Sequence, residues 1–137
     1  MWAYYALFAA FFAALTAILA KIGISEISGN VATAIRTVVI LVIAWGIVIF
    51  VGEHRQLAGI SKRSLLFVIL SGITTGLSWL FYFKALETGP VAKVAVIDKS
   101  SLALTLILAF IILREPISWK VAIGCIFILV GTFIVMK

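Results

Sequence analysis

Residues 31–51, VATAIRTVVILVIAWGIVIFV, decide the fold: over this whole length the chain carries one charge, Arg36. The hydrocarbon core of a bilayer is about 30 Å thick and takes roughly 17–25 helical residues to cross. Lipid cannot satisfy the backbone groups of an open strand edge, so such a segment must cross as a helix. Working outward, four further stretches meet the same test, at about 3–20, 65–83, 91–113 and 119–136, the last being the shortest. The expectation is an all-α, polytopic membrane protein, one domain over residues 1–137 with five transmembrane helices.

Composition leads to the same class. The chain of 137 residues is 65% hydrophobic and 12% charged, with a mean hydropathy of +1.31. A water-soluble domain carries roughly 45–50% apolar and about 25% charged residues. A soluble fold of this size would leave apolar patches far beyond the few hundred Å² that monomers tolerate. The formal charge of +6 is spread over short loops and helix ends with no basic run. This fits anchoring against anionic lipid heads and not a nucleic-acid partner. Cys125 stands alone in an apolar run and His54 alone in a polar loop, so no disulfide, metal-ligand cluster or cofactor is expected. Residues 1–20 hold no Lys or Arg, which favours a retained first helix over a cleaved signal segment.

The breaks have local causes. Ser28, Gly29 and Asn30 offer turn and cap chemistry before the second span, and Ser61 or Ser64 can cap the third. Gly89-Pro90 ends one helix and starts another, because proline tolerates a first turn but not an interior; Arg114-Glu115-Pro116 acts alike before the last span. An odd number of spans puts the termini on opposite sides. One side then holds Arg55, Lys62, Arg63, Arg114 and Lys120, and the other Lys21, Lys84, Lys93 and Lys137. Five against four is almost no bias, although Lys/Arg bias is what sets orientation. Either one or two charges decide, or the chain inserts both ways and pairs head-to-tail.

Ionisable groups inside hydrocarbon are expensive and mark function by default. Arg36 lies in the second span; Asp98 and Lys99 lie in the fourth, about 11 Å from its start at 1.5 Å per residue. Asp98, Ser101 and Thr105 are spaced i, i+3, i+7 on one helical face. They form either the wall of a cavity for a polar solute or proton, or part of an ion pair of Asp98 with Arg36 or Lys99 that locks helices together. The third span carries a second stripe, Ser71, Thr75, Ser78 and Tyr82, with Trp79 beside it and Lys84 just beyond. It reads as a substrate-facing wall or as interhelical hydrogen bonding. Gly72 and Gly76 in the third span, and Gly124 and Gly131 in the last, are small-residue contacts for helix or dimer packing. Ala9, Ala13 and Ala17 form a similar seam in the first span, whose one interior polar residue is Thr16. Trp2, Tyr4, Tyr5, Trp45, Phe50 and Trp119 stand near span ends, as interfacial belts do. No phosphate loop, metal spacing or nucleophile–base pair is present, so an enzyme is not expected.

The order of several short stretches resembles a known family. KALETGPVAKVAVI from Lys84, AVIDKSSLALT, ILREPIS with Glu115, the glycine-punctuated IGCIFILVG, and Arg36 in ATAIRTVV together resemble the EamA-type branch of the drug/metabolite transporter superfamily, in its short five-span bacterial/archaeal form. Arg114 stands where that family commonly has glycine. The resemblance implies half of a ten-helix inverted-repeat fold, completed by a second copy inserted upside down. It implies a secondary transporter of a small polar metabolite such as an amino acid, working by alternating access in the cell's inner membrane, and the excess of Lys21, Arg36, Lys84 and Lys99 over Asp98 points to an anionic or zwitterionic solute. The substrate- or ion-coupling residues would be Asp98, Lys99, Arg36, Trp79, Tyr82, Ser78, Ser101, Thr105 and Lys84. Small multidrug resistance proteins are a related comparison, but their first-span glutamate has no counterpart here, which leaves Asp98 as the deep carboxylate. The rival expectations are a non-transporting accessory subunit and a lipid-carrier flippase component.

Overall fold

Lipid tails are as apolar as leucine, so helices within a bilayer are held by close packing and by hydrogen bonds between them rather than by escape from water. The computed structural model describes residues 1–137 and shows how few such contacts this chain makes. It is all-helical, with five helices long and apolar enough to cross a membrane. They fall into two compact units, residues 1–88 and 89–137.

The first unit holds α1 (Trp2–Gly23), α2 (Gly29–Val51) and α3 (Lys62–Thr88). Ser28 caps α2 by accepting from the Val31 N–H at 3.4 Å. Gly52 ends α2 in the left-handed conformation, φ 81°, which glycine adopts without a Cβ penalty. A 3₁₀ segment, Glu53–Gly59, leads to Ser61, whose Oγ accepts from the Ser64 N–H at 3.1 Å and so opens α3. The core of the unit sits where the end of α1, the start of α2 and the end of α3 meet: Ala17, Ile24, Gly29, Thr33, Phe83 and Leu86 are buried there. Leu86 is fully covered and Phe83 is 2% exposed, whereas most other apolar side chains face outward. α3 runs five residues beyond the end expected from hydropathy alone, because Lys84 and Glu87 are good helix formers and pair at i, i+3, 2.9 Å apart.

The second unit holds α4 (Val91–Asp98), α5 (Ser101–Leu108), a π-helical segment Ala109–Leu113, and α6 (Trp119–Met136). Residues Val91–Leu113 form one membrane-crossing stretch, as expected, but the helix is interrupted within it. In an unbroken α-helix the Val96 carbonyl would accept from the Ser100 N–H. Here it accepts from the Lys99 N–H at 3.1 Å and from the Thr132 hydroxyl of α6 at 3.3 Å. The Ser100 N–H turns to the Ile97 carbonyl at 2.9 Å, and Leu102 and Ala103 donate three residues back as well. Insertion of a side-chain hydroxyl into the ladder is a recognised cause of such a break. Asp98 ends one helix while Ser101 and Thr105 belong to the next, so the expected stripe runs across a 3₁₀-like turn, in which residues three apart eclipse.

Beyond the π segment, Arg114 takes the left-handed conformation, φ 54° and ψ 31°, and the Glu115 N–H reaches back to the Ala109 carbonyl at 3.3 Å. The tight turn that favours glycine therefore forms with arginine in place. Ser118 then caps α6, accepting from the Val121 N–H at 3.3 Å.

Candidate functional site

The first unit gathers Arg36, Trp79 and Phe83. Arg36 is two turns into α2, and its guanidinium carbon lies 4.3 Å from the centre of the Trp79 ring and 5.6 Å from that of Phe83. Tyr82 meets Phe83 edge-on, with centroids 6.3 Å apart. A planar cation over an aromatic face is held by the ring quadrupole, by about 2 kcal/mol or more when desolvated. The contact holds the guanidinium carbon against the rings, and the N–H groups of an arginine remain a set of donors for a carboxylate. Arg36 also lines an open cavity of about 350 Å³ between α1, α2 and α3. Thr16, Leu19, Ala20 and Gly23 of α1 form one wall; Ile27, Ala32, Ile35 and Phe83 complete it.

Polar contacts fasten the helix ends beside Phe83. Glu87 accepts a hydrogen bond from the Gly29 N–H, the first unpaired donor of α2, and ion-pairs with Lys84. The Lys21 ammonium donates to the Leu86 carbonyl at the end of α3. Each bond uses a helix-terminal group that has no partner in its own helix. They also place opposite charge at each terminus, Glu87 at the positive end of α2 and Lys21 at the negative end of α3. Within α2, the Thr33 hydroxyl donates to the Gly29 carbonyl at 2.7 Å and Thr37 to Thr33 at 2.8 Å.

Of the residues expected on the third-span wall, Trp79 and Tyr82 are half-covered and face this cluster, while Ser71, Ser78 and Thr75 are exposed. Thr75 donates to its own helix, at the Ser71 carbonyl. Lys84 serves the Glu87 pair. Sequence reasoning passed over Glu87 and the close packing at Gly29. The i, i+3 pair Lys84/Glu87 within KALETGP is the signal for the first. Around Gly29 a Cβ would stand 2.9 Å from Glu87 Oε1 and 3.1 Å from Phe83 Cβ. By contrast, within their own units nothing lies within 4 Å of a Cβ built at Gly72, Gly76, Gly124 or Gly131. Those four glycines leave small-residue surface uncovered.

In the second unit Asp98 and Lys99 pair at 3.4 Å, with side chains 39% and 56% uncovered, at the interruption of the fourth span. Their adjacency gives poor hydrogen-bond geometry and a loose pair. Thr105 donates to the Ser101 carbonyl at 3.0 Å, and both residues are exposed. Lys99 stands at the rim of a second open hollow, about 380 Å³, floored by Val96, Leu102, Ile128 and Gly131. No group of three or more His, Cys, Asp or Glu side chains is assembled to hold a metal.

Five apolar helices, with an arginine against an aromatic face inside the second of them and a break carrying Asp98 and Lys99 in the fourth, define a multi-pass integral membrane protein with ionisable residues within two of its spans. The sequence pattern of the EamA-like transporter family matches residues 1–137, and the chain belongs to that family. It is accordingly a membrane transporter. A curated relative from Sinorhizobium sp., named "Uncharacterized transporter in cobO 3'region", is 42% identical over 133 residues, covering 97% of this chain and 94% of the relative. No solved structure matches the chain.

Proposed function

We propose that the chain is a secondary transporter that moves a small polar metabolite across the cell's inner membrane by alternating access, as an antiparallel homodimer. The observation that carries this reading is the Arg36 guanidinium, 4.3 Å over Trp79, on the wall of an open cavity inside the bilayer-spanning part. A cation kept at that depth without an ion-pair partner needs a compensating negative charge, and a transported solute supplies it. In this reading Arg36 binds the solute's negative end, Trp79 backs the guanidinium, and Tyr82 packs against Phe83 of the wall.

Asp98 is the coupling carboxylate of the second unit. It stands at a break in its helix, where backbone can rearrange at low cost, and Lys99 beside it offers a charge for the proton to replace. Membrane lipid surrounds the outward apolar faces. A second copy, inserted upside down, supplies the remaining five helices, which the almost balanced Lys/Arg distribution permits.

Uptake into liposomes that contain the purified protein tests the reading. Imposing a proton gradient accelerates uptake by the wild type, and Asp98→Asn removes that acceleration while leaving the dimer intact on native gels. Full proton coupling in Asp98→Asn rejects the coupling role.

A further inference from the structure

The charges around the Arg36 cavity select among solutes. The first unit contains three carboxylates, Glu26, Glu53 and Glu87. Glu26 and Glu53 lie in the connections that follow α1 and α2, and Glu87 is engaged by the Gly29 N–H and Lys84. None of the three lines the cavity. Arg36 is its one charged wall residue and Thr16 its one neutral polar side chain; the rest is Leu, Ile, Ala, Gly and Phe. Such a lining has a fork of donors for a carboxylate and no carboxylate to pair with an ammonium, leaving the Thr16 hydroxyl as its one side-chain acceptor, and burial of a cation without an ion-pair partner is costly. At about 350 Å³ the space is at the small end of the roughly 300–1,000 Å³ typical of ligand pockets.

We infer that this cavity binds small monocarboxylates with an apolar body, and discriminates against zwitterions carrying the same body. The inference rests on the transporter reading above and narrows its solute class. The carboxylate lies against the Arg36 N–H donors, the body lies between α1 and α2, and Thr16 is within the same wall to donate a further hydrogen bond. The shared chemistry, a monoanion with an apolar part, is also that of an anionic phospholipid, so the two sources must be told apart.

The test is thermal unfolding of the full-length protein in nanodiscs of phosphatidylcholine alone, titrated with hexanoate and benzoate. The zwitterions norleucine and phenylalanine, and the cation hexylamine, are titrated in parallel. Saturable stabilisation by the two carboxylates is expected, with the zwitterions at least tenfold weaker and no effect of hexylamine. Arg36→Met is expected to weaken carboxylate binding by about 10–100-fold, the range for loss of a charge-assisted hydrogen bond. Arg36→Lys, which keeps the charge and the fold but not the fork, weakens it less. Zwitterions binding as well as carboxylates, or carboxylates binding Arg36→Met as tightly as wild type, overturns the inference. So does stabilisation by added phosphatidylglycerol with none by hexanoate or benzoate, since the site would then belong to lipid. Arg36-dependent flux of zwitterions in liposomes would refute the solute class and leave the transporter reading standing. Carboxylate binding without flux of any solute would do the reverse.

Discussion

Gly29 does at residue scale what a larger side chain could not. Its missing side chain lets the start of α2 come against the backbone and Cβ of Phe83, and its N–H meets Glu87. A methyl group there would press on Phe83 Cβ at 3.1 Å and on the Phe83 backbone carbonyl carbon at 3.2 Å, and backbone yields little. Gly29→Ala should therefore destabilise the protein by about 1–3 kcal/mol, the usual cost of overpacking. Unfolding by a denaturing detergent, followed by tryptophan fluorescence, checks it; an unchanged midpoint contradicts the packing described. Arg114 is the opposite case, a side chain where none is wanted. The left-handed backbone costs an L-residue roughly 1–2 kcal/mol relative to glycine, so Arg114→Gly should raise stability by up to about 1 kcal/mol after the larger chain entropy of glycine is subtracted. The same denaturation assay reads it, and a lower midpoint would show that the arginine makes a compensating contact. The glycine preference at this turn was legible in the sequence. That arginine adopts the glycine conformation was not, because a family pattern states which residue is common and not what a replacement does to φ.

At the scale of elements, the five spans were readable from hydropathy because each must present apolar side chains to lipid along its whole length. Ends set by side-chain caps, Ser28 and Ser61, were readable as well, since the capping oxygen lies within three residues of its donor. The interruption of the fourth span was not, because its cause lies 36 residues away in Thr132. Thr132 donates to both its own Ile128 carbonyl, at 2.9 Å, and the Val96 carbonyl. Thr132→Val keeps the shape and removes the donor. An interhelical hydrogen bond within a membrane is worth about 0.6 kcal/mol on average, so the stability loss should be of that order. The more telling result is local: the Ser100 N–H should regain the Val96 carbonyl and exchange its hydrogen more slowly in deuterated buffer. Unaltered exchange there would mean that Asp98, Lys99 and the two serines break the helix without help. The site residues divide along the same line. Arg36 and Trp79, each inside one span, were visible as polar or aromatic exceptions. Their stacking and the role of Glu87 depend on how α2 meets α3, which no single segment encodes.

For the molecule as a whole, the prominent fact is how little apolar surface is buried: Ala17, Ile24, Phe83 and Leu86 are the buried apolar side chains, while long rows of Phe, Leu, Ile and Val stay uncovered. Lipid covers part of that surface, and the uncovered glycine faces at Gly72/Gly76 and Gly124/Gly131 offer close approach to another helix. If an upside-down copy takes those faces, the chain must enter the membrane in both orientations. Fusions of alkaline phosphatase and green fluorescent protein to the C-terminus should then both give signal, within about twofold of each other once normalised for expression. A single-sided signal refutes the antiparallel pair. Adding three lysines to the Glu53–Gly59 connection should drive the population to one orientation, since Lys/Arg excess in short loops fixes topology. Transport should fall with it and return when an oppositely biased copy is co-expressed.

In the alternating-access cycle proposed above, the knot formed by Lys21, Gly29, Leu86 and Glu87 would serve as a hinge pin. It fastens α2 to α3 at the first residue of the one and near the last residues of the other. Any rocking of α2 that spares the knot must grow with distance from it. α2 has 23 residues, so a tilt of about 10° displaces its far end by about 6 Å while moving Arg36, seven residues from the pin, by about 2 Å. Solute held by Arg36 would thus ride almost still while the opposite mouth of the unit opens wide.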